Sequence, residues 1–172
     1  LLASDRGKIN KKVLKNIVDD ISYLKSKNKE VIIVSSGAIA LGKKDFFGAQ
    51  ELSLQESQGA AAIGQIELMT SWKSEFKKHD HQIAQILLAP SDIQNKESSQ
   101  NAIATLKKLL ELECVPIINE NDTTATDEIK FGDNDILAAK ISRLIKADHL
   151  ILLSNVDGLF DKPPLNEKDL IL

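Results

Sequence analysis

The stretch that decides the fold is a run of four apolar residues followed by four polar ones, Val115-Pro116-Ile117-Ile118-Asn119-Glu120-Asn121-Asp122. A short apolar run rich in β-branched residues is typical of a strand that is buried on both faces. The abrupt change to amides and carboxylates predicts that the strand ends at Ile118 and that a polar loop follows. So dense a polar cluster is costly to bury without partners, which indicates a cleft.

Apolar runs of the same kind recur along the chain and alternate with segments of helical periodicity. They predict strands at residues 31–34, 82–88, 115–118 and 150–153, and the periodic segments predict helices at 9–27, 53–78, 98–112 and 136–145. Strands alternating with helices imply right-handed crossovers and a largely parallel sheet that is covered on both faces. We therefore expect a three-layer α/β/α sandwich, formed as a single domain over residues 1–172.

Composition excludes several classes of function. With a net charge of −3 and a pI of about 5.7, the chain has no field that would hold nucleic acid or an anionic membrane. No apolar run approaches the ~20 residues of a membrane span. The single cysteine, Cys114, permits no intrachain disulfide, and the three histidines lack the spacing of metal ligands. We expect a cytoplasmic protein without a metal centre built from histidine and cysteine.

The parallel sheet predicts where the chemistry lies, because ligands of such sheets sit beyond the carboxyl ends of the strands. The residues that follow the four predicted strands are therefore the candidates. They are Ser35-Ser36-Gly37-Ala38, residues 89–92, Asn119-Glu120-Asn121-Asp122, and residues 154–158. Gly132-Asp133-Asn134-Asp135, which precedes the helix at 136–145, is a further polar turn.

Each turn has a functional and a structural interpretation. The small residues Ser36, Gly37 and Ala38 suit close approach of an anion to a helix start, although a serine N-cap has the same sequence. A carboxylate such as Asp122 suits the ammonium of an amino acid, and the alternative is a polar loop that caps the next segment. Residues 123–131 are mixed enough for a small hairpin that folds over a substrate.

The last two turns are equally open at this stage. Asp133 and Asp135 could orient a catalytic lysine or a magnesium network while Asn134 bonds a substrate, or one of residues 133 and 134 could be a plain N-cap. Ser154 and Asn155 could form a turn around a nucleotide, or a β-turn that holds no ligand. The sequence contains neither a Walker-type loop nor a Gly-x-Gly-x-x-Gly turn.

Taken together, the turns resemble the glutamate 5-kinases of the amino-acid kinase family. The resemblance is carried by Val34-Ser35-Ser36-Gly37-Ala38-Ile39-Ala40-Leu41-Gly42, Ile118-Asn119-Glu120-Asn121-Asp122, Glu128-Ile129-Lys130-Phe131-Gly132-Asp133-Asn134-Asp135 and Leu153-Ser154-Asn155-Val156-Asp157-Gly158-Leu159-Phe160. These motifs occur in the family's order over nearly the whole chain. Of the four, the pair Asn-Glu-Asn-Asp and Gly-Asp-Asn-Asp is the most specific.

The resemblance implies ATP and Mg²⁺ as cofactors, L-glutamate as substrate, a homo-oligomer, and proline as a possible feedback inhibitor. It implies substrate binding by Ser36, Gly37, Ala38, Asn119, Asp122 and Asn134, a catalytic acidic pair formed by Asp133 and Asp135, and nucleotide binding by Ser154 and Asn155. Asn155 stands where the family more often has aspartate. The family's phosphate-binding lysines and glycines would lie before Leu1 and beyond Leu172, so we expect sequence to be missing at both ends.

Two alternatives remain open at the level of sequence. A sister kinase for aspartate, N-acetylglutamate or a nucleoside monophosphate shares the fold, but an N-acetylated substrate has no ammonium for Asp122 to bind. A non-catalytic amino-acid-binding or regulatory domain is also compatible with Asn155 and with the lysines expected outside the chain.

Overall fold

The computed structural model describes residues 2–3, 7–46, 51–124 and 134–154. The helices are α1 (Lys11–Ser26), α2 (Ala38–Phe46), α3 (Leu54–Lys77), α4 (Pro90–Gln94), α5 (Lys96–Glu111) and α6 (Asn134–Ile145). The strands are β1 (Ile33–Val34), β2 (Ile83–Leu88) and β3 (Val115–Glu120), and a 3-10 turn follows at Asp122–Thr124. No helix in these ranges is long and apolar enough to cross a membrane.

The three strands form one parallel sheet in the order β1-β3-β2. Val34 pairs with Ile118, and Leu88 pairs with Glu120, so the carboxyl ends of the strands meet at one edge. The backbone N–H of Ser35 donates to the Ile118 carbonyl at 2.8 Å and fixes the turn after β1 against β3. The predicted parallel α/β sheet is confirmed.

Two apolar cores lie on opposite faces of the sheet, and alternate residues of β3 serve each of them. Val115 and Ile117 pack in the core that holds side chains of α1, α2 and α3. Ile118 packs in the other core, with residues of α5 and α6. All six residues of β3 are buried, which makes it the central strand of a three-layer sandwich.

Helices α2 and α3 cross at two glycines. A Cβ at Gly64 would lie 1.8 Å from the Ala38 carbonyl oxygen, and one at Gly42 would lie 1.9 Å from the Ala60 carbonyl oxygen. Only glycine permits so close an approach of two backbones. Helix α3 starts at a capping box, in which the Ser53 hydroxyl accepts from the Glu56 N–H and the Glu56 carboxylate accepts from the Ser53 N–H.

Four features differ from the sequence prediction. The predicted turn at 89–92 is mostly helical, because α4 begins at Pro90. β3 extends two residues further than predicted, because the Asn119 and Glu120 backbones continue the ladder with β2. β1 is reduced to two residues. The predicted strand at 150–153 is wrong: these residues adopt no regular structure, and their side chains are exposed by 44% (Leu150) to 74% (Ile151). An apolar run becomes a strand only where another strand edge can pair with it, and none of the described strands does so.

The structure describes only the first two residues of the predicted hairpin at 123–131. Its first two residues belong to the 3-10 turn, where the Thr124 N–H donates to the Asn121 carbonyl at 3.1 Å. Residues 125–131 lie outside the described residues.

Candidate functional site

The turn after β1 leads directly into the first residue of α2. Gly37 has a φ of +108°, which L side chains rarely adopt, and a Cβ there would lie 2.9 Å from the Ala3 Cβ. The Leu41 N–H donates to the Gly37 carbonyl at 3.1 Å and closes the first helical turn. The N–H groups at such a helix start have no partners within the helix and favour an anion. Ser36 is exposed beside them.

Trp72 of α3 contacts the turn after β1 from its buried side. Its indole Nε1 donates to the Ser35 hydroxyl at 3.1 Å, and both residues are buried. The ring stacks on Phe76 with 5.9 Å between centroids, which fixes its orientation. Trp72 therefore fixes the Ser35 side chain on the buried side of the turn.

The polar cluster begins inside β3 rather than after it. Asn119 is only 3% exposed, and its Nδ2 donates to Gln65 Oε1 at 2.9 Å. Its Oδ1 accepts from the Glu120 N–H at 2.9 Å. The Asn121 N–H donates to the Leu88 carbonyl at 3.0 Å and carries the pairing one residue beyond the strand. The cluster is therefore held by β2 on one side and by α3 on the other.

Glu120 and Asp122 place two carboxylates close together at this edge. Glu120 is 9% exposed, and within the described ranges neither residue forms an ion pair. Burial, and secondarily the negative charge of Glu120, raise the pKa of Asp122 from 3.8 to about 6. A pair of this kind gains most from a bound cation, because a positive charge relieves both the repulsion and the desolvation.

The carboxylate pair makes a direct prediction about titration. In Glu120→Gln the pKa of Asp122 falls but stays above 3.8, because burial remains. Carboxyl carbon NMR checks this, with Glu97→Gln on exposed α5 as the control that leaves Asp122 unchanged. Since the folded-state pKa is raised, the contribution of Asp122 to stability is fully present below pH 3.8 and is lost as the pH rises through about 6. An Asp122 pKa near 3.8 in the unmodified protein would contradict this description.

The polar turn before α6 is only partly described. Asn134 is the first residue of α6 and not its N-cap, and its Oδ1 is buried without a hydrogen-bond partner among the described residues. Asp135 is exposed in the first turn of the same helix. Asp133 lies outside the described residues. Helix α6 packs on β1 and β3, in the core that also holds α5.

The predicted nucleotide turn has no described geometry that would test it. Ser154 is exposed and follows the irregular segment 150–153, and Asn155 lies outside the described residues. No cluster of three metal-binding side chains was found among the residues that the structure describes. The nucleotide role of Ser154 and Asn155 stays a prediction.

Of the predicted turns that the structure brings to this edge of the sheet, two carry predicted substrate-binding residues. Residues 36–38 follow β1, Asn119 and Asp122 lie at the end of β3, and β1 and β3 are neighbours. A helix start that favours an anion follows β1, and a carboxylate pair that favours a cation follows the neighbouring strand β3. A small zwitterion with a carboxylate at one end and an ammonium at the other matches this arrangement.

Sequence reasoning assigned no role to Gln65 and Glu120. Gln65 lies on the inner side of α3 between the buried residues Gly64 and Leu68, so its polar side chain in that position was the available signal. The sequence pattern predicts Glu120 only as part of the polar loop after the strand. Its burial follows from the two extra residues of β3, which the apolar pattern does not show.

Comparison with known proteins identifies the family of the chain. The family model described as "Amino acid kinase family" matches residues 2–171. The chain is 42% identical over 169 residues to a protein named glutamate 5-kinase from Paramagnetospirillum magneticum, covering 98% of this chain and 46% of that protein. It is 48% identical over 165 residues to a glutamate 5-kinase of Pelagibacter ubique, covering 95% and 45% respectively. The chain therefore spans less than half the length of these relatives.

Proposed function

The chain belongs to the amino acid kinase family, and we propose that the protein carrying it uses ATP to phosphorylate the γ-carboxylate of L-glutamate. The product would be L-glutamyl 5-phosphate, in the first step of proline biosynthesis. Relatives named glutamate 5-kinase match nearly the whole chain at 42% to 48% identity. The proposal concerns the complete protein, in which this chain would be part of a single amino-acid kinase domain.

The observation that carries the proposal is the carboxylate pair of Glu120 and Asp122. The pair follows β3 and the start of α2 follows the neighbouring strand β1, so the two charged ends of a free amino acid would have opposite partners at one edge of the sheet. A substrate with a free α-ammonium uses the pair, whereas an N-acetylated one would leave both carboxylates unpaired at a cost. This favours glutamate over N-acetylglutamate.

We assign the substrate to the two turns that lie together. The main-chain N–H groups of residues 37 and 38 and the Ser36 hydroxyl would bind a substrate carboxylate. Asp122 would bind the ammonium, and Asn119 would shape the floor of the pocket. The buried Oδ1 of Asn134 would accept a further substrate N–H.

The reaction needs positioning and charge neutralisation more than proton transfer. The γ-carboxylate is already ionised at neutral pH, so no general base is required. The obstacle is the approach of an anion to a polyanionic triphosphate, which positive groups must offset. Mg²⁺ bound to the ATP phosphates would supply part of that charge. This proposal places Asp133 and Asp135, which is exposed in the first turn of α6, at the reaction centre. It places Ser154 and Asn155 at the nucleotide.

The remaining expectations follow from the same assignment. A biosynthetic kinase of this type would work in the cytoplasm as a homo-oligomer. Proline carries an α-carboxylate and a secondary ammonium, the same pair of opposite charges as the α-carbon of glutamate, so it would compete at the pocket, with residues 123–131 as the segment to examine.

Hydroxylamine trapping tests the proposal. The complete protein, incubated with ATP, Mg²⁺ and hydroxylamine, should give a hydroxamate with L-glutamate and release one ADP for each. N-acetylglutamate, which leaves the carboxylate pair without an ammonium, should give at least about 100-fold lower kcat/KM. Aspartate, which is one methylene shorter, should give about 10- to 200-fold lower kcat/KM. Turnover of another acceptor, but not of glutamate, would favour a sister kinase. Glutamate binding without turnover would favour a non-catalytic domain.

A further inference from the structure

A short segment of α3 contacts both turns of the proposed pocket. Gly64 meets the Ala38 carbonyl, at the start of α2, so closely that no Cβ fits between them. The next residue, Gln65, bonds the Asn119 amide at 2.9 Å. Two consecutive residues of one helix thus contact the start of α2 and the Asn119 side chain.

The hydrogen bonds around Asn119 permit one orientation of its amide. The Glu120 N–H can only donate, so Asn119 must present Oδ1 to it. That leaves Nδ2 facing Gln65, whose contacting atom must then be the acceptor Oε1. Without this acceptor, the buried amide would lose a partner, and nothing on that side would prevent it from turning away from the Glu120 backbone.

We propose that Gln65 is a positioning residue for the substrate ammonium, a role that rests on the proposed function. Gln65 holds Asn119, Asn119 holds the Glu120 backbone, and this backbone carries the chain into Asp122. A group placed in this way acts on substrate binding through geometry, since small displacements of ligand-binding groups weaken binding strongly. Gln65 itself need not touch glutamate.

The kinetic test uses Gln65→Met, which keeps the length of the side chain and removes the acceptor. Gln65 borders an open groove of about 470 Å³ between α3 and β2, so the methionine can relax without overpacking. We expect the KM for glutamate to rise about tenfold, with the KM for ATP and kcat within about twofold. Gln55→Met, on the exposed first turn of the same helix, is the matched control and should change neither constant.

Two further variants separate positioning from general damage. Gln65→Glu retains an acceptor oxygen and, at pH 8 where Asp122 is ionised, should return the glutamate KM to within about threefold of the unmodified protein. In an Asn119→Ala background, Gln65→Met should have no additional effect, because the contact through which it acts is gone. If the effects of Gln65→Met and Asn119→Ala multiply in the double variant, the positioning role of Gln65 is overturned. A glutamate KM that is unchanged in Gln65→Met would overturn it as well.

A readout that is independent of turnover separates this inference from the proposed function. The side-chain amide resonances of Asn119 should shift and exchange faster with solvent in Gln65→Met, and should stay unchanged in Gln55→Met. If the protein does not phosphorylate glutamate but the resonances respond, the proposed function fails while the structural link stands. If glutamate is phosphorylated and the resonances do not respond, Gln65 is not the positioning residue.

Discussion

Asp122→Asn should raise the KM for glutamate about 100-fold, with little change in the KM for ATP. Truncating one partner of a partly buried charge pair costs ~2–5 kcal/mol, and each ~1.4 kcal/mol is a factor of ten. Because Glu120 remains beside the substrate ammonium, the expected loss lies toward the lower end of that range. Steady-state kinetics with varied glutamate at saturating ATP measures it.

The charge-matched control for this variant is Asp20→Asn, on the exposed face of α1 and far along the chain from Asp122. It should leave both KM values unchanged. The pH dependence adds a second check. Because the pKa of Asp122 is raised to about 6, glutamate affinity should weaken as the pH falls below 6, and Asp122→Asn should lack this dependence. A glutamate KM within about threefold of the unmodified value would remove Asp122 from the pocket.

Gly64→Ala should produce the largest loss of stability. The added Cβ would lie 1.8 Å from the Ala38 carbonyl oxygen, which is backbone and cannot rotate away. Overpacking in a core costs ~1–3 kcal/mol and occasionally more, and so close a backbone clash belongs at the upper end. We expect a fall in Tm of about 6 °C or more. Because the clash displaces the first residue of α2, glutamate affinity should fall as well.

Gly59→Ala, in the same helix, provides the matched control for that experiment. A Cβ at Gly59 meets nothing within 4 Å, so the substitution is free of clashes. Replacing a helical glycine by alanine should raise the stability by about 0.5–1 kcal/mol. Thermal unfolding of the two variants in parallel is the measurement. Equal Tm values for Gly64→Ala and the unmodified protein would contradict the close crossing of α2 and α3.

Local sequence pattern was sufficient for most of the fold. The β-branched run 115–118 and the helical periodicity at 9–27, 53–78, 98–112 and 136–145 each correspond to an element of the structure. Local sequence pattern failed where pairing with a neighbouring strand decides whether a segment becomes a strand. Asn119 and Glu120 are polar, yet they continue the ladder because β2 offers partners. Residues 150–153 are apolar, yet the described strands offer them none.

The location of the candidate site was predictable from the sequence. The contacts that hold its side chains in place were not. Parallel strands predicted that residues 36–38 and 119–122 meet at one edge, and they do. The contact of Gln65 with Asn119 joins residues 54 positions apart, and that of Trp72 with Ser35 joins residues 37 apart. Contacts of this kind depend on how helices pack on the sheet, and no local pattern encodes them.

Isothermal titration of the complete protein with glutamate, N-acetylglutamate and glutarate tests the central claim most directly, because the three ligands differ mainly in the group offered to Glu120 and Asp122. We expect glutamate to bind at least about 100-fold more tightly than the other two. Near pH 6, glutamate binding should also release protons, since a bound ammonium lowers the pKa of Asp122. Binding of N-acetylglutamate or glutarate as tight as that of glutamate would contradict the claim that this carboxylate pair receives the free ammonium of the substrate.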